Sequence, residues 1–211
     1  MGMITGIELT KSRAAVYVDG TLFLRMKRSF FDELPLEEGE DLDEEDYLNR
    51  LSARQSKPAY EAALDMLSDR DMTCDALKKA LMRRGFLEPV ADAVRDRLIE
   101  NRLLDDQRFA QRYVELRKDS AVGRYALKRK LRAKGIEEET ASDALEQLDD
   151  ESQLAAAAEL AKKLSKRYAA LPGYEARAKL SQALARRGFS WDVVREAIEQ
   201  ARPDGDEFDD I

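Results

Sequence analysis

A mainly α-helical protein, an elongated tandem array of three three-helix modules behind a small N-terminal β-hairpin extension, is expected from three observations. Charged residues make up 37% of the 211 and hydrophobic ones 44%, with only 10 Gly and 5 Pro, a balance that suits long helices with solvated outer faces. A leucine–glycine pattern recurs at intervals of 50 and 53 residues. Near the start, β-branched and aromatic residues gather on both sides of an Asp-Gly pair.

The N-terminal segment, residues 1–35, reads as strands. Ala15-Val16-Tyr17-Val18 and Thr21-Leu22-Phe23-Leu24 flank Asp19-Gly20, a pair whose two positions both tolerate the positive φ of a tight hairpin turn. Two or three short strands follow from this, placed to cap a helical body or to offer an edge for pairing. Residues 36–59 read as an acidic linker or the exposed start of a helix through Tyr47, Leu48 and Leu51. Lys57-Pro58 marks a boundary, because the residue before proline is disfavoured in the α region.

The modules are assigned to residues 60–104, 105–152 and 153–201. Leu77, Leu81, Gly85 and Phe86 stand at the same offsets as Leu127, Leu131, Gly135 and Ile136, and as Leu180, Leu184, Gly188 and Phe189. Leucines four apart share one helix face, and glycine ends the helix where the chain needs a left-handed residue. Bases crowd the turn before each glycine, namely Arg83 and Arg84, Lys134, and Arg186 and Arg187, where they complement the negative helix end. A third helix follows each glycine through Val90, Val94 and Leu98, then Thr140, Ala144 and Leu148, then Val193, Ala197 and Ala201. A first helix precedes each block through Tyr60, Leu64 and Leu67, then Phe109, Tyr113 and Leu116, then Leu160, Leu164 and Tyr168. Phe86, Phe109, Tyr113, Phe189 and Trp191 are expected to pack within or between modules rather than stack on bases. Asp105 is placed to cap the helix that opens at Asp106, since a short carboxylate there accepts from free backbone N–H groups. Residues 202–211, with Pro203, Gly205 and no apolar period, are expected to form a frayed acidic tail.

Composition removes several chemistries. The chain has no histidine, which excludes Ser-His-Asp and Cys-His catalysis and imidazole metal ligation. Cys74, the single cysteine, permits no internal disulfide or thiolate cage, suits a reducing compartment, and reads as a small packing residue. Neither GxxxxGK[ST] nor GxGxxG occurs. No run of about 20 apolar residues is present to span a bilayer, and no secretory leader pattern opens the chain. A cytoplasmic, monomeric protein without enzymatic activity, cofactor or bound metal is expected.

The net charge of −7 belongs to the ends. Residues 1–59 hold 8 bases and 12 acids, residues 202–211 one base and five acids, and the remaining body 27 bases and 26 acids. Within that body, Arg124, Lys128, Arg129, Lys130, Arg132 and Lys134 form a field without an intervening acid. Arg124, Lys128 and Arg132, four apart, make a stripe beside the Leu127/Leu131 face. Such a stripe meets phosphates or an acidic protein groove, or else is a solvated face balanced by Glu137, Glu138 and Glu139. Arg83, Arg84, Arg186 and Arg187 are added as candidate contacts.

Leu103-Leu104-Asp105-Asp106-x-x-Phe109-Ala110, followed by Tyr113, Gly123, Leu127, Leu131 and Lys134-Gly135-Ile136, resembles the signature of the RecX family. Leu184-Ala185-Arg186-Arg187-Gly188-Phe189-Ser190 is similar to that family's last repeat. The first module departs from the pattern: Arg70-x-x-Thr73-x-x-Ala76-Leu77 stands where Arg-x-x-Ser-x-x-Glu-Leu is common. The resemblance implies a curved helical repeat protein that lies in the groove of the RecA filament on single-stranded DNA. It implies inhibition of strand exchange and of the coupled ATPase and co-protease activities, in DNA repair and the SOS response. A helical-repeat module with weak direct DNA contact, and a scaffold for another acidic protein, are the alternatives.

Overall fold

A computed structural model describes residues 1–118 and 120–201. The acidic tail expected at 202–211 lies outside the described residues. The chain divides into two compact units, Met1–Asp105 and a second beginning at Asp106.

The first unit opens with β1 (Gly2–Leu9), β2 (Arg13–Val18) and β3 (Thr21–Lys27), then α1 (Arg28–Glu33) and β4 (Asp41–Leu42). Asp19 and Gly20 join β2 to β3 with φ of 48° and 78°, the double positive turn that matches strand twist. The hairpin is part of a larger antiparallel sheet of order β3-β2-β1-β4. Its fourth strand comes from the acidic stretch expected to be a linker, where Glu40 and Gly39 bond the backbone of Ile4. The acids of that stretch then start a helix. The Asp43 carboxylate accepts from the Asp46 N–H at 3.1 Å, and Glu44, Glu45 and Asp46 fill the first turn, where the helix end is positive.

That helix, α2 (Glu44–Asp69), corrects the expected boundary at Lys57-Pro58, because Pro58 lies inside it. Tyr47, Leu51 and Gln55 are buried before the proline and Ala59, Ala63 and Met66 after it. Packing on both sides outweighs the one hydrogen bond that proline cannot donate. With α3 (Cys74–Arg83) and α4 (Glu88–Glu100), α2 makes the first three-helix module. Ile4, Val16 and Met26 of the sheet and Phe30 and Phe31 of α1 share one core with Leu51, Leu77, Leu81 and Leu98. The sheet therefore completes this module's interior. Tyr47 donates to the Leu34 carbonyl at 3.0 Å, and burial pushes its phenol up to about 12.

The second unit holds two modules. One comprises α5 (Asp106–Glu115), α6 (Arg124–Ala133) and α7 (Glu138–Leu145); the other comprises α8 (Asp150–Tyr168), α9 (Gly173–Arg186) and α10 (Trp191–Gln200). Each has its own core, Leu127, Leu131 and Ile136 in the first, and Leu180, Leu184 and Phe189 in the second.

All three modules close their second helix in one way. Gly85, Gly135 and Gly188 have φ of 87°, 84° and 87°. The next residue's N–H returns to the second leucine's carbonyl: Phe86 to Leu81, Ile136 to Leu131, and Phe189 to Leu184. The glycine N–H bonds the carbonyl three back, so the pair of bonds satisfies carbonyls that the helix end leaves open.

The first helix of each module keeps most of the expected face: Tyr60, Leu67, Phe109, Tyr113, Leu160, Leu164 and Tyr168 are partly buried against their cores. Ala59 and Ala63, Ala110 and Val114, and Ala157 and Ala161 are fully buried beside them, whereas Leu64 is exposed and Leu116 is 72% exposed. Small side chains are the most deeply buried there, and the larger ones flank them. Trp191 is likewise corrected: it opens α10 at 68% exposure, while Phe86 and Phe189 are buried and Phe109 and Tyr113 are half-buried.

Two stability outcomes follow. A Cβ on Gly188 would lie 2.3 Å from the Ala126 nitrogen, whereas Gly39, at φ 88°, faces open space. Gly39→Ala is expected to lose about 1–2 kcal/mol from backbone strain alone, and Gly188→Ala about 3 kcal/mol or more. Urea unfolding followed by circular dichroism checks this, and equal losses would contradict the close packing. Pro58 is exposed, and alanine there restores a donor to the Arg54 carbonyl. Pro58→Ala is expected to raise the stability of the first unit by about 1–2 kcal/mol, after allowing for the lost rigidity of the unfolded chain.

Candidate functional site

The basic helix α6 starts where Gly123 lets two backbones meet. A Cβ on Gly123 would lie 2.2 Å from the Gly188 carbonyl carbon, so no larger residue fits unchanged. The Gly123 N–H donates to the Arg187 carbonyl at 2.9 Å and the Tyr125 N–H to the Gly188 carbonyl at 3.0 Å. The N–H of Arg124 donates to the buried Gln153 Oε1 at 2.9 Å. Ala126, Leu127 and Leu131 face inward. This leaves the cations on the flanks and the outer face.

The stripe expected at spacing four is paired within the unit. Arg124 donates to the Leu148 carbonyl and approaches Asp150 at 3.3 Å. Lys128 and Arg132 each hold one oxygen of Glu138, at the start of α7. The hydrogen bond from Lys128 is the main cause that lowers the Glu138 carboxyl below its ordinary value, with the Lys128 and Arg132 charges adding to it. Of the three balancing acids named from sequence, Glu138 makes these pairs. Lys134 stands over the rings of Phe109 and Tyr113, at 5.8 and 5.6 Å from their centroids. Arg129 and Lys130 are exposed, and neither joins an ion pair among the described residues. They are the cations of this helix best placed to meet another molecule.

The other candidates fall at helix ends. Arg83 and Arg84 are exposed at the end of α3, and the Arg83 carbonyl accepts from the Arg13 guanidinium at 2.9 Å. Arg186 and Arg187 are exposed at the end of α9, where Arg187 donates to the Ala121 carbonyl at 3.2 Å. Each pair belongs to a different unit. Asp105 immediately precedes α5, and Asp106 is the acid of its first turn.

Sequence reasoning missed two groups. Gln55 and Gln153 are buried polar side chains that fix backbone beside the glycine turns: Gln55 Oε1 accepts from the Leu87 N–H at 2.7 Å, as Gln153 does from Arg124. Their signal was a glutamine falling on the inner face of a helix. The second group is Lys11, Arg13, Lys27 and Arg28, which line one cavity with Arg84. Their signal was the clustering of bases at strand ends. Among the described residues no cluster of three acids or cysteines is arranged to hold a metal ion. No described helix is long and apolar enough to cross a membrane.

Models of the first, second and third three-helix domains of RecX match residues 59–98, 105–145 and 150–198. The chain is 30% identical over 211 residues to the regulatory protein RecX of Bacillus subtilis (strain 168), covering 98% of this chain and 80% of that protein. It is 31% identical over 209 residues to the one from Limosilactobacillus reuteri (strain DSM 20016), covering 98% and 79%. A crystal structure of regulatory protein RecX superposes with a TM-score of 0.67 at 31% identity, covering 94% of this chain and 99% of that one. RecX from Lactobacillus salivarius gives a TM-score of 0.67 at 29% identity, covering 71% and 97%. Three consecutive three-helix domains, each closed by the same glycine turn, and matches that run almost the full length, place the chain in the RecX family of regulatory proteins.

Proposed function

We propose that this protein regulates RecA by binding the RecA filament on single-stranded DNA, seated in its helical groove, and that it inhibits ATP hydrolysis, strand exchange and co-protease activity. The reading is carried by helix α6, which with Lys134 just past its end puts six cations between residues 124 and 134 of the middle module without an acid among them. Tandem modules give several weak contacts to successive filament subunits, and every contact after the first is intramolecular. Regulation by occupancy needs no reacting group, cofactor or metal. In this reading the protein acts in the cytoplasm as a monomer and either blocks the groove or favours a filament state that does not extend.

Purified protein is expected to lower the single-stranded-DNA-dependent ATPase of RecA at substoichiometric ratios. Unchanged hydrolysis over a wide titration would overturn the proposal. Because Arg129 and Lys130 make no ion pair among the described residues, Arg129→Glu with Lys130→Glu is expected to keep full helicity. The same double change should raise the half-inhibitory concentration on the order of tenfold. Glu138→Gln weakens the hold on Lys128 and Arg132, and about two- to fivefold tighter inhibition is expected as those charges turn outward. Arg124→Glu instead faces Asp150 and abandons the Leu148 carbonyl, so reduced stability is expected before any effect on RecA.

A further inference from the structure

A cavity of about 510 Å³ in the first unit is lined by Lys11, Ser12 and Arg13 before and at the start of β2, by Lys27, Arg28, Ser29 and Asp32 where β3 runs into α1, and by Arg84 after α3. Three attachments build it from distant parts of the chain. The Arg28 N–H donates to the Ser12 carbonyl at 2.9 Å, tying the β1–β2 turn to the end of β3. The Arg13 guanidinium donates to the Arg83 carbonyl at 2.9 Å, tying β2 to the end of α3. Gly85 lies against β3, where a Cβ would come within 3.1 Å of the Lys27 nitrogen. The result is five cations around one opening with a single carboxylate, and that carboxylate is bound by Arg28 at 2.6 Å. Crowding like charges raises the local potential and favours an anion between them.

The lining also indicates which anion. Lysines, a guanidinium fork and two serine hydroxyls suit phosphate oxygens. No aromatic side chain lines the cavity to stack a base, and no large apolar one to anchor a protein partner. A second cavity, of about 360 Å³, shares Arg84 and adds Arg70 and Arg83 beside one carboxylate, Asp69, and the apolar Met66 and Ala80. Cations spread over two adjoining hollows suit a chain of phosphates better than one ion. We infer that this paired cavity on the N-terminal unit is a binding site for the phosphodiester backbone of nucleic acid, independent of base sequence. The site belongs to a different unit from α6 and does not depend on RecA being the partner.

The test uses the full chain and a fluorescently labelled oligo-dT, without RecA, so its failure leaves the filament proposal untouched. Anisotropy titrations between about 50 and 200 mM salt give affinity and salt slope. Lys11→Gln with Arg84→Gln removes two lining cations whose side chains make no hydrogen bond or ion pair among the described residues. The double variant is expected to bind about tenfold more weakly, with a slope lower by about 1.4, the loss of two phosphate contacts. Wild-type affinity and slope in that variant would overturn the site, as would no binding by the wild type. In the wild type, amide resonances of Ser12 and Ser29 are expected to shift as oligonucleotide is added, a readout that needs no variant; unmoved resonances count against the site. Equal affinity for oligo-dA supports backbone recognition. Displacement by polyglutamate as effective as by unlabelled oligonucleotide, or equal displacement by inorganic phosphate, would overturn it in favour of a carboxylate ligand or a lone ion.

Discussion

In each module the helix that carries the paired leucines stops at a backbone conformation that only glycine adopts without strain, at Gly85, Gly135 and Gly188. The return bond from the following residue to the second leucine's carbonyl then points the chain back toward the helix it has just left. From that reversal come the buried Phe86, Ile136 and Phe189, the direction of the next helix, and the closure of the core between them. The same turns place bases at a negative helix end and leave their side chains exposed, so a local stereochemical requirement also presents charge to the surroundings. In the first unit this turn rests on the end of β3, and in the third module it rests on the start of α6.

How much of this was legible depended on the range of the interaction. The Leu-x-x-x-Leu-x-x-x-Gly spacing and the Asp19-Gly20 turn are decided within a few residues, and both read directly. Pro58 did not, because its local preference is outweighed by Leu51, Gln55, Ala59 and Ala63 packing against other helices, which periodicity cannot register. The small buried residues of α2, α5 and α8 were missed for a related reason: apolar bulk marks an amphipathic helix, and the alanines buried beside that bulk carry no such mark. The short strand β4 follows no strand-like composition, and it pairs because Glu40 and Gly39 meet Ile4.

The charge pattern shows the same limit more sharply. Sequence located the cations of α6 and named Glu138 among three balancing acids, but it could not single out Glu138 or find Asp150, which reaches Arg124 only when α8 packs beside that helix. Folding thus sorts one basic run into Arg124, Lys128 and Arg132, which have acidic partners within the unit, and Arg129 and Lys130, which are turned outward. In the first unit it does the reverse. Bases scattered over residues 11 to 84 converge around one cavity, although residues 1–59 taken together are acidic. Net charge over a segment is therefore a poor guide to the potential at any point on its surface.

The crossing of Gly123 over Gly188 has a mechanical meaning. At that point two main chains touch with no side chain between them. Elsewhere a rotamer change absorbs a small displacement, but here there is no soft element in series. A shift of the α9–α10 turn therefore meets the first residues of α6 with no side chain between to absorb it.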